Sequence, residues 1–441
     1  MSALAEYVDA IGEDAGRRCD RWEVLAIDRA DSVVEFGSGT PDASRASRET
    51  SVCVRVHVAG RVGTATTTRL DRPRELIDDA VLSARFGPRT RWPDRPPDAP
   101  APRHGEASTE SAAELARQVC GLQRSTGLAV HGTVTRTRQR VRRADRHHCS
   151  GDDETFFHLA VVAEGRRNPQ LQLPWTGWTR AARLPDALRE WLTTAAAWDD
   201  LPADVAPPSP MGVLLGPAAV HSLLTPLIVG LSATTAASGR SFAADDLGTP
   251  LLHRGIDIRD EPVPAGTGCG LSYPAADDNG VPTAALTVVE NGAPARLYHS
   301  VRTAADLGVA PTGHGFRGSA VRRKPRQPVT PVLNNATFHT DGVPAAGLGD
   351  LITELDSGVF IDSLLGGHQR AGLSPVVEGR IRLGFVVEHG KVVGTMTPAA
   401  VALDFREILG SRLAAVSARH WAVSRTWTGR LPFVLAAARR P

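Results

Sequence analysis

The sequence predicts an α+β protein with an N-terminal α+β domain of antiparallel strands and helices, followed by a C-terminal, mostly antiparallel β domain of barrel-like type. Three observations support this fold class. The first part of the chain alternates helical periodicity with period-two segments. The later part consists of short alternating segments separated by glycines. The chain has 441 residues, 42% of them hydrophobic and 22% charged, which suits more than one cored domain.

The first elements form a helix, antiparallel strands and a second helix. A first helix is predicted from one apolar face, made by Leu4, Val8, Ile11 and Ala15. Residues 22–36 and 49–63 alternate with a period of two, and Gly60 marks a turn between strands. Asp71 and Pro73 then provide the start signals of a helix over residues 73–84.

A second set of elements follows an exposed linker at residues 92–102. Residues 110–125 predict a helix, residues 128–143 and 155–164 predict strands, and residues 184–197 predict another helix. A polar turn is expected at residues 150–153, between the two strands. The neighbouring His147-His148-Cys149 run could be a metal clip, but adjacent residues of a strand point to opposite faces, which favours a polar turn.

The Pro-rich stretch 201–210 predicts a boundary between residues 1–204 and residues 205–441. Beyond it lie one apolar segment, 218–231, and many short strand-like segments, for example 284–289, 381–387 and 431–435. Exposed Pro-rich backbone has few protecting hydrogen bonds, so we expect limited proteolysis to cut first near residues 92–105 or 201–210.

Composition argues against several classes of protein. A formal net charge of +2 gives no support for nucleic-acid binding, so the basic run at residues 322–326 is interpreted as a solvated loop. Five scattered cysteines without a C-x-x-C pair favour a reducing, cytoplasmic setting. The sequence shows no signal peptide and no apolar stretch long enough for a membrane span.

Five short motifs occur in order between residues 260 and 315. They read D-E-P at 260–262, D-D-N-G-V-P at 277–282, V-V-E-N-G at 288–292, A-A-D-L-G at 304–308 and P-T-G-H-G at 311–315. This ordered series resembles the TldD/PmbA family. The resemblance implies the family's fold, with an N-terminal α+β domain and a C-terminal barrel-like domain. It also implies a system in which a TldD-type subunit holds one zinc ion and cleaves peptides, paired with a TldE-type subunit that lacks the metal.

The family's zinc motif, H-E-x-x-x-H on a helix, is missing from this sequence. Such a peptidase needs two His ligands and a Glu base. The resemblance aligns Thr225, Pro226 and Gly230 with these positions, and Ser424 with the family's cysteine ligand. We therefore expect no catalytic residue, no metal and no cofactor in this chain, and zinc in a TldD-like partner. His221 could be a relic ligand, although a lone His on an apolar helix is usually a core residue.

The loop Thr312-Gly313-His314-Gly315-Phe316-Arg317 is the candidate contact with a substrate or a partner cavity. Glycines permit close backbone approach, and His314 and Arg317 could meet a peptide carboxylate. A purely structural turn explains the same residues equally well. The carboxylates at residues 260–261 and 277–278 could form a paired-carboxylate site, but structural roles are favoured.

The function predicted from the sequence is that of a TldE-like subunit shaping the peptide channel of a zinc metallopeptidase heterodimer. An extended peptide or peptide-like small molecule is the expected ligand. Two alternatives remain open at this point. One is a diverged subunit of an amide-hydrolysing or amide-remodelling pair in a specialised, natural-product pathway. The other is a homodimeric scaffold or regulatory binder without enzymatic activity.

Overall fold

The structure is a computed structural model that describes residues 3–89, 92, 103–104, 111–180, 182–208, 212–261, 274–366 and 373–438. Its N-terminal part is one sheet in the order β3-β2-β1-β5-β6-β4, with β7 also paired to β6. The strands of this sheet are β1 Arg21–Gly37, β2 Thr40–Val58, β3 Arg61–Thr67, β4 Arg103–His104, β5 Ala129–Asp145, β6 Cys149–Glu164 and β7 Gln172–Thr179. The helices of this part are α1 Ala3–Arg18, α2 Pro73–Phe86, α3 Ala112–Thr126 and α4 Asp186–Ala196.

All four N-terminal helices predicted from the sequence are confirmed to within a few residues. The sheet is antiparallel along β2, β1, β5 and β6. Short turns join β1 to β2 and β5 to β6, whereas β1 and β5 are far apart in sequence. β3 pairs with β2 only over Val52–Val58. Among the described residues, the outer edge of β2 from residue 40 to residue 51 therefore has no neighbouring strand.

The predicted polar turn at residues 150–153 is wrong, since these residues lie inside β6. The chain reverses earlier, where the Asp145 carboxylate accepts hydrogen bonds from the backbone N–H groups of His147 and His148. Asp152 is buried and accepts a hydrogen bond from Arg143 Nη1 at 2.7 Å, so polar residues here face an ion pair and not solvent.

The C-terminal part contains a six-stranded sheet, an eight-stranded sheet and a short two-stranded pair. The six-stranded sheet runs β11-β10-β9-β14-β22-β21, and the eight-stranded sheet runs β15-β20-β23-β8-β16-β17-β18 with β19 on β17. Their strands, with the pair β12–β13, are β8 Gly212–Leu215, β9 Ile256–Asp260, β10 Leu286–Glu290, β11 Ala293–Pro294, β12 Gly315–Phe316, β13 Thr330–Pro331, β14 Ala336–Thr340, β15 Ala345–Ala346, β16 Gly358–Leu365, β17 Val376–Glu388, β18 Lys391–Thr395, β19 Ala400–Asp404, β20 Leu413–Ser417, β21 Trp421–Ser424, β22 Thr428–Leu431 and β23 Val434–Ala436.

The helices of the C-terminal part are α5 Pro217–Gly230, α6 Ala233–Ala237, α7 Phe242–Asp245, α8 Val301–Leu307 and α9 Leu348–Leu355, with a π-helical turn at Glu407–Ser411. Most strand pairs are antiparallel, although β8–β16, β14–β22 and β15–β20 are parallel. The predicted α+β fold class is confirmed. The apolar segment predicted at residues 218–231 is α5, which lies between the two large sheets and contacts strands of both.

The hydrophobic core has three main clusters, and one of them joins the two parts of the chain. α1 and α2 cover β1–β3 in the first cluster. α5 is the centre of another, between the C-terminal sheets. In the third, Trp191 of α4 packs edge-on against Phe360 of β16, with ring centroids 5.8 Å apart. The predicted boundary at residue 204 stays a prediction. Within the described residues, no helix is both long and apolar enough to cross a membrane.

Candidate functional site

The positions aligned with the family's zinc site lie on α5 and on the β21–β22 hairpin. α5 begins at Pro217, whose fixed φ angle and missing N–H suit the first turn of a helix. Its apolar residues are buried on nearly all sides, as in a helix enclosed by a core. Both strands of the hairpin pack against it. This packing brings together residues 225–230 and residue 424, which the resemblance aligns with the family's zinc site.

The indole ring of Trp427, in the turn between β21 and β22, is hydrogen-bonded to α5. Its Nε1 donates a hydrogen bond to Thr225 Oγ1 at 3.1 Å. Thr225 Oγ1 in turn donates to the backbone oxygen of His221 at 2.7 Å. Trp427 is buried and belongs to the core cluster around α5. The hydroxyl at the first inferred ligand position therefore already has both a donor and an acceptor partner.

His221 packs as a core residue beside this indole. Its ring stacks on Trp427 with centroids 4.3 Å apart and an interplanar angle of 17°. Burial lowers the pKa of His221 to about 4, so the ring is neutral at pH 7. Its Nε2 lies 3.0 Å from the backbone oxygen of Trp427. A carbonyl oxygen only accepts, so Nε2 carries the proton and is not available as a metal ligand in this arrangement.

The remaining two helix positions offer no ligand atom. Pro226 has no donor or acceptor side-chain group, and Gly230 packs against Ala243 and Ser241, where an added methyl group would be in tight contact. Zinc sites in proteins use Cys, His, Asp or Glu side chains. The residues at these positions therefore do not fit a zinc ion. Within the described ranges, no three His, Cys, Asp or Glu side chains are grouped so that they could hold a metal.

Ser424, which the resemblance aligns with the family's cysteine ligand, connects the hairpin to the N-terminal sheet. Its Oγ accepts a hydrogen bond from Trp178 Nε1 of β7 at 3.0 Å and lies 3.0 Å from Thr428 Oγ1. Trp178 also stacks at a tilt on His158, with centroids 4.3 Å apart. Ser424 thus bridges the hairpin and β7 through its hydroxyl group.

A cavity of about 60 Å³ lies beside Ser424. Aromatic and aliphatic side chains from both parts of the chain line most of its wall, together with Ser424, Asp362 and Arg425. Asp362 is at a β-bulge, because the pairing between β16 and β17 skips it, and bulges commonly redirect a side chain. Burial raises the pKa of Asp362 to about 6, although the Ser363 hydroxyl and the charge of Arg425 act in the opposite direction.

The candidate loop at residues 312–317 is tied into the C-terminal part. Thr312 Oγ1 bonds both the N–H and the carbonyl of His299. Gly313 has a φ of +76°, and a side chain there would overlap the backbone of Pro282. His314 is fully buried. Its Nε2 lies 3.1 Å from Asp260 Oδ2, and its Nδ1 lies 2.7 Å from the backbone oxygen of Thr312.

Arg317 and the carboxylates of residues 277–278 are also buried. Arg317 donates from Nη1 to the backbone oxygens of Pro325 and Gln327, and its own N–H donates to Asp278 Oδ2. Asp277 accepts hydrogen bonds from the backbone N–H groups of Gly315 and Val281, and it does not form a carboxyl pair open to solvent. Contact between this loop and a substrate or partner stays a prediction. Of the residues of the loop proposed as contacts, Arg317 reaches the wall of a larger cavity.

The contacts that three residues make in this region were not predicted from the sequence: those of Trp427, Trp178 and Asp362. Trp427 comes three residues after Ser424, so the sequence showed that the two are close. A tryptophan side chain is not a metal ligand, however, so nothing marked it as a site residue. Asp362 lies in the apolar run of β16, where a single carboxylate was the available sign. Trp178 is far from residue 424 in sequence, and only the fold brings the two together.

Two family profiles match the chain. The profile described as PmbA/TldA metallopeptidase C-terminal domain matches residues 208–432, and the one described as PmbA/TldA metallopeptidase domain 1 matches residues 22–84. The first match alone covers more than half of the chain. Among curated proteins, none matches the sequence significantly.

Solved structures share this fold over nearly their whole length. TldE from Thermococcus kodakarensis is 17% identical, with a TM-score of 0.81 over 98% of this chain and 99% of that chain. A putative modulator of a DNA gyrase from Thermotoga maritima is 20% identical, with a TM-score of 0.78 over 98% of each chain. A putative modulator of DNA gyrase from Bacteroides thetaiotaomicron is 14% identical, with a TM-score of 0.74 over 99% of this chain and 98% of that chain. At these identities the likeness concerns the fold.

Proposed function

The chain belongs to the PmbA/TldD metallopeptidase family, and on that premise we propose that it is a metal-free, TldE-like subunit. It shapes the peptide channel of a TldD-like partner, and the partner supplies the zinc ion and the Glu base. The chain itself contributes no catalytic residue. The proposal separates two tasks, holding a peptide and cleaving it, between two related chains.

The hydrogen bond between Trp427 and Thr225 is the observation that carries this proposal. A zinc peptidase needs an open coordination position for water beside a general base. Here the indole lies against α5, and the resemblance aligns Pro226 with the base. A subunit with this arrangement can keep the fold and its surfaces while the reaction takes place on another chain.

The peptide is held in extended form by backbone hydrogen bonds to a strand edge, with little selection among side chains. Such an edge is available on β2 from residue 40 to residue 51, where the side chains are almost all exposed. The N–H and C=O groups of an unpaired edge need partners, which an added strand provides.

The first test measures metal and activity in the chain alone. After treatment with a chelator and reconstitution with zinc, elemental analysis is expected to find no stoichiometric zinc, and no peptide should be hydrolysed. One equivalent of tightly bound zinc would refute the metal-free assignment. A zinc-bearing member of the family with an intact H-E-x-x-x-H motif, carried through the same procedure, is the positive control.

The second test concerns the partner. Co-expression with a TldD-like chain from the same source should give a heterodimer by light scattering, burying on the order of 2,000 Å² or more, as lasting assemblies do. Replacing Arg317 by Ala should lower peptide turnover by the complex without dissociating it. A chain that stays alone or forms only homodimers beside that partner would contradict the proposal and favour the scaffold alternative.

A further inference from the structure

A second, larger cavity of about 510 Å³ lies between the two parts of the chain, and we call it the arginine cleft. One wall comes from β2, β3 and the end of α2, and the other comes from α8 and residues 279–329 of the C-terminal part. Its charged lining residues are Arg55, Arg89, Arg302, Arg317, Arg326 and Asp306. It shares no lining residue with the small cavity beside Ser424.

The positive charge of the arginine cleft is only partly balanced by the protein. Five arginines face one aspartate in its lining, whereas the whole chain carries a net charge of only +2. Asp306 lies 3.9 Å from Arg302, and Arg55 is paired with Glu23 at 3.2 Å. Arg89 and Arg326 are exposed and make no ion pair with any residue that the structure describes.

Two buried polar groups of the lining also lack hydrogen-bond partners. Arg317 is only 5% exposed, and its Nε has no partner in the described part of the chain, although Nη1 has two. Asn279 is 9% exposed, and its Oδ1 likewise has none; as an acceptor, this oxygen can meet a water molecule but not an oxyanion. A buried donor or acceptor without a partner costs free energy, and such groups are rare in native proteins unless a ligand or water meets them.

Hydrogen bonds from their backbone N–H groups hold both residues in place. The Asn279 backbone N–H donates to Asp277 Oδ1 at 2.9 Å, and the Arg317 backbone N–H donates to Asp278 Oδ2 at 2.9 Å. Arg55 is held by cation–π contact with Trp92, 4.4 Å from the ring centroid. Groups that are already in place lose little freedom when a ligand binds, so the wall is preorganised.

We propose that the arginine cleft binds a small, multiply charged oxyanion, of which the charged groups are phosphates or carboxylates. Guanidinium groups present planar forks of donors that match both kinds of oxygen pair. The volume of the cleft is within the usual range for small-molecule sites. The bound anion pairs with Arg89 and Arg326, the two exposed arginines of the lining. This inference concerns the chain alone and does not depend on the proposed partner.

The test is calorimetric titration of the full chain with pyrophosphate and, separately, with citrate. Saturable binding of at least one of the two is expected, and the stronger of the two identifies phosphate or carboxylate as the preferred group. Potassium chloride at matched ionic strength controls for general screening of charge. Absence of saturable binding by both anions would overturn the proposal.

A pair of variants assigns the binding to the cleft. The double variant Arg89→Gln/Arg326→Gln removes two exposed arginines without an ion pair, so it should fold normally, as circular dichroism can verify. We expect it to bind the anion at least about tenfold more weakly, because each lost arginine removes charge-assisted hydrogen bonds. Arg296→Gln removes the same charge from an exposed position outside the cleft and should bind like the wild type. Equal affinity in the double variant and this control would place the anion elsewhere and refute the assignment.

Discussion

Asp362 is a single carboxyl group enclosed beside the hairpin, and its raised pKa gives a prediction with a definite sign. Burial moves the pKa from 3.8 to about 6 in the folded chain. The folded state therefore binds more protons than the unfolded state between these values, and stability falls as pH rises through them. The ionised form costs on the order of 3 kcal/mol above pH 7, and the cost is absent near pH 4.

Asp362→Asn should accordingly raise the free energy of unfolding at pH 8 and leave it almost unchanged at pH 4. Urea denaturation at the two pH values measures the difference. The exposed Asp9→Asn in α1 is a control that should change little at either pH. An Asp362→Asn variant that is destabilised at pH 8 would mean that the ionised carboxylate is needed by its surroundings.

Arg322 and Arg323 are neighbours in sequence with opposite environments. Arg323 is completely buried, and its Nε donates to Asp278 Oδ1 at 2.7 Å. Arg323→Ala removes the nearest cation from the buried Asp278 carboxylate, which keeps the Arg317 N–H and has Arg143 Nη2 4.0 Å away. We expect it to destabilise the chain by about 3 kcal/mol. Arg322 is exposed, so Arg322→Ala should stay within about 0.5 kcal/mol. Thermal or urea unfolding of both variants checks the contrast, and equal effects would contradict the assigned burial.

At the scale of secondary-structure elements, the close approach of α2 to β3 depends on Gly63. A methyl group there would overlap the backbone of Ala80 and Ala84 on α2. Gly63→Ala should therefore force the helix outward and cost about 1–3 kcal/mol, as overpacking usually does. Gly349→Ala on α9 adds the same methyl group in open space, and it should be neutral or stabilising by up to about 1 kcal/mol. Denaturation midpoints of the two variants test this, and a neutral Gly63→Ala would show that α2 can shift freely.

Hydrophobic periodicity was sufficient to predict the first helices and strands, because each of them buries one face. The face of α1 and the alternation in β1 and β2 correspond directly to the cluster beneath them. The turn expected at residues 150–153 failed for the opposite reason: Asp152 is polar but buried, and its partner Arg143 is on another strand. Local sequence carries no information about such a partner.

The same limit applies to the candidate site. The alignment to the family motifs identified Thr225 and Ser424, which do lie on elements that pack together. It could not identify the side chains that bond to them, Trp427 and Trp178, since those contacts depend on the packing of the hairpin and of β7. Motifs in sequence indicate where a site was expected, and tertiary structure decides what occupies it.

For the whole molecule, the shared core predicts how a cut chain behaves. Trp191 and Trp198 of the segment before residue 204 pack on Phe360, with ring centroids 5.8 and 6.1 Å away. After limited proteolysis within residues 201–210, the two fragments should therefore remain together as one particle in size-exclusion chromatography under native conditions. In denaturant they should separate. Fragments that part under native conditions would show that this cluster does not hold the two parts of the chain together.

The stacking of Trp427 on His221 limits which substitutions could give this chain a zinc site. Restoring a zinc-binding helix requires His at 225 and 230, Glu at 226, and movement of the indole away from α5. Each single replacement would introduce a polar or bulky group into a packed core and give no metal site in return. Each of these single replacements is therefore expected to lower the stability of the fold before a metal ion can bind.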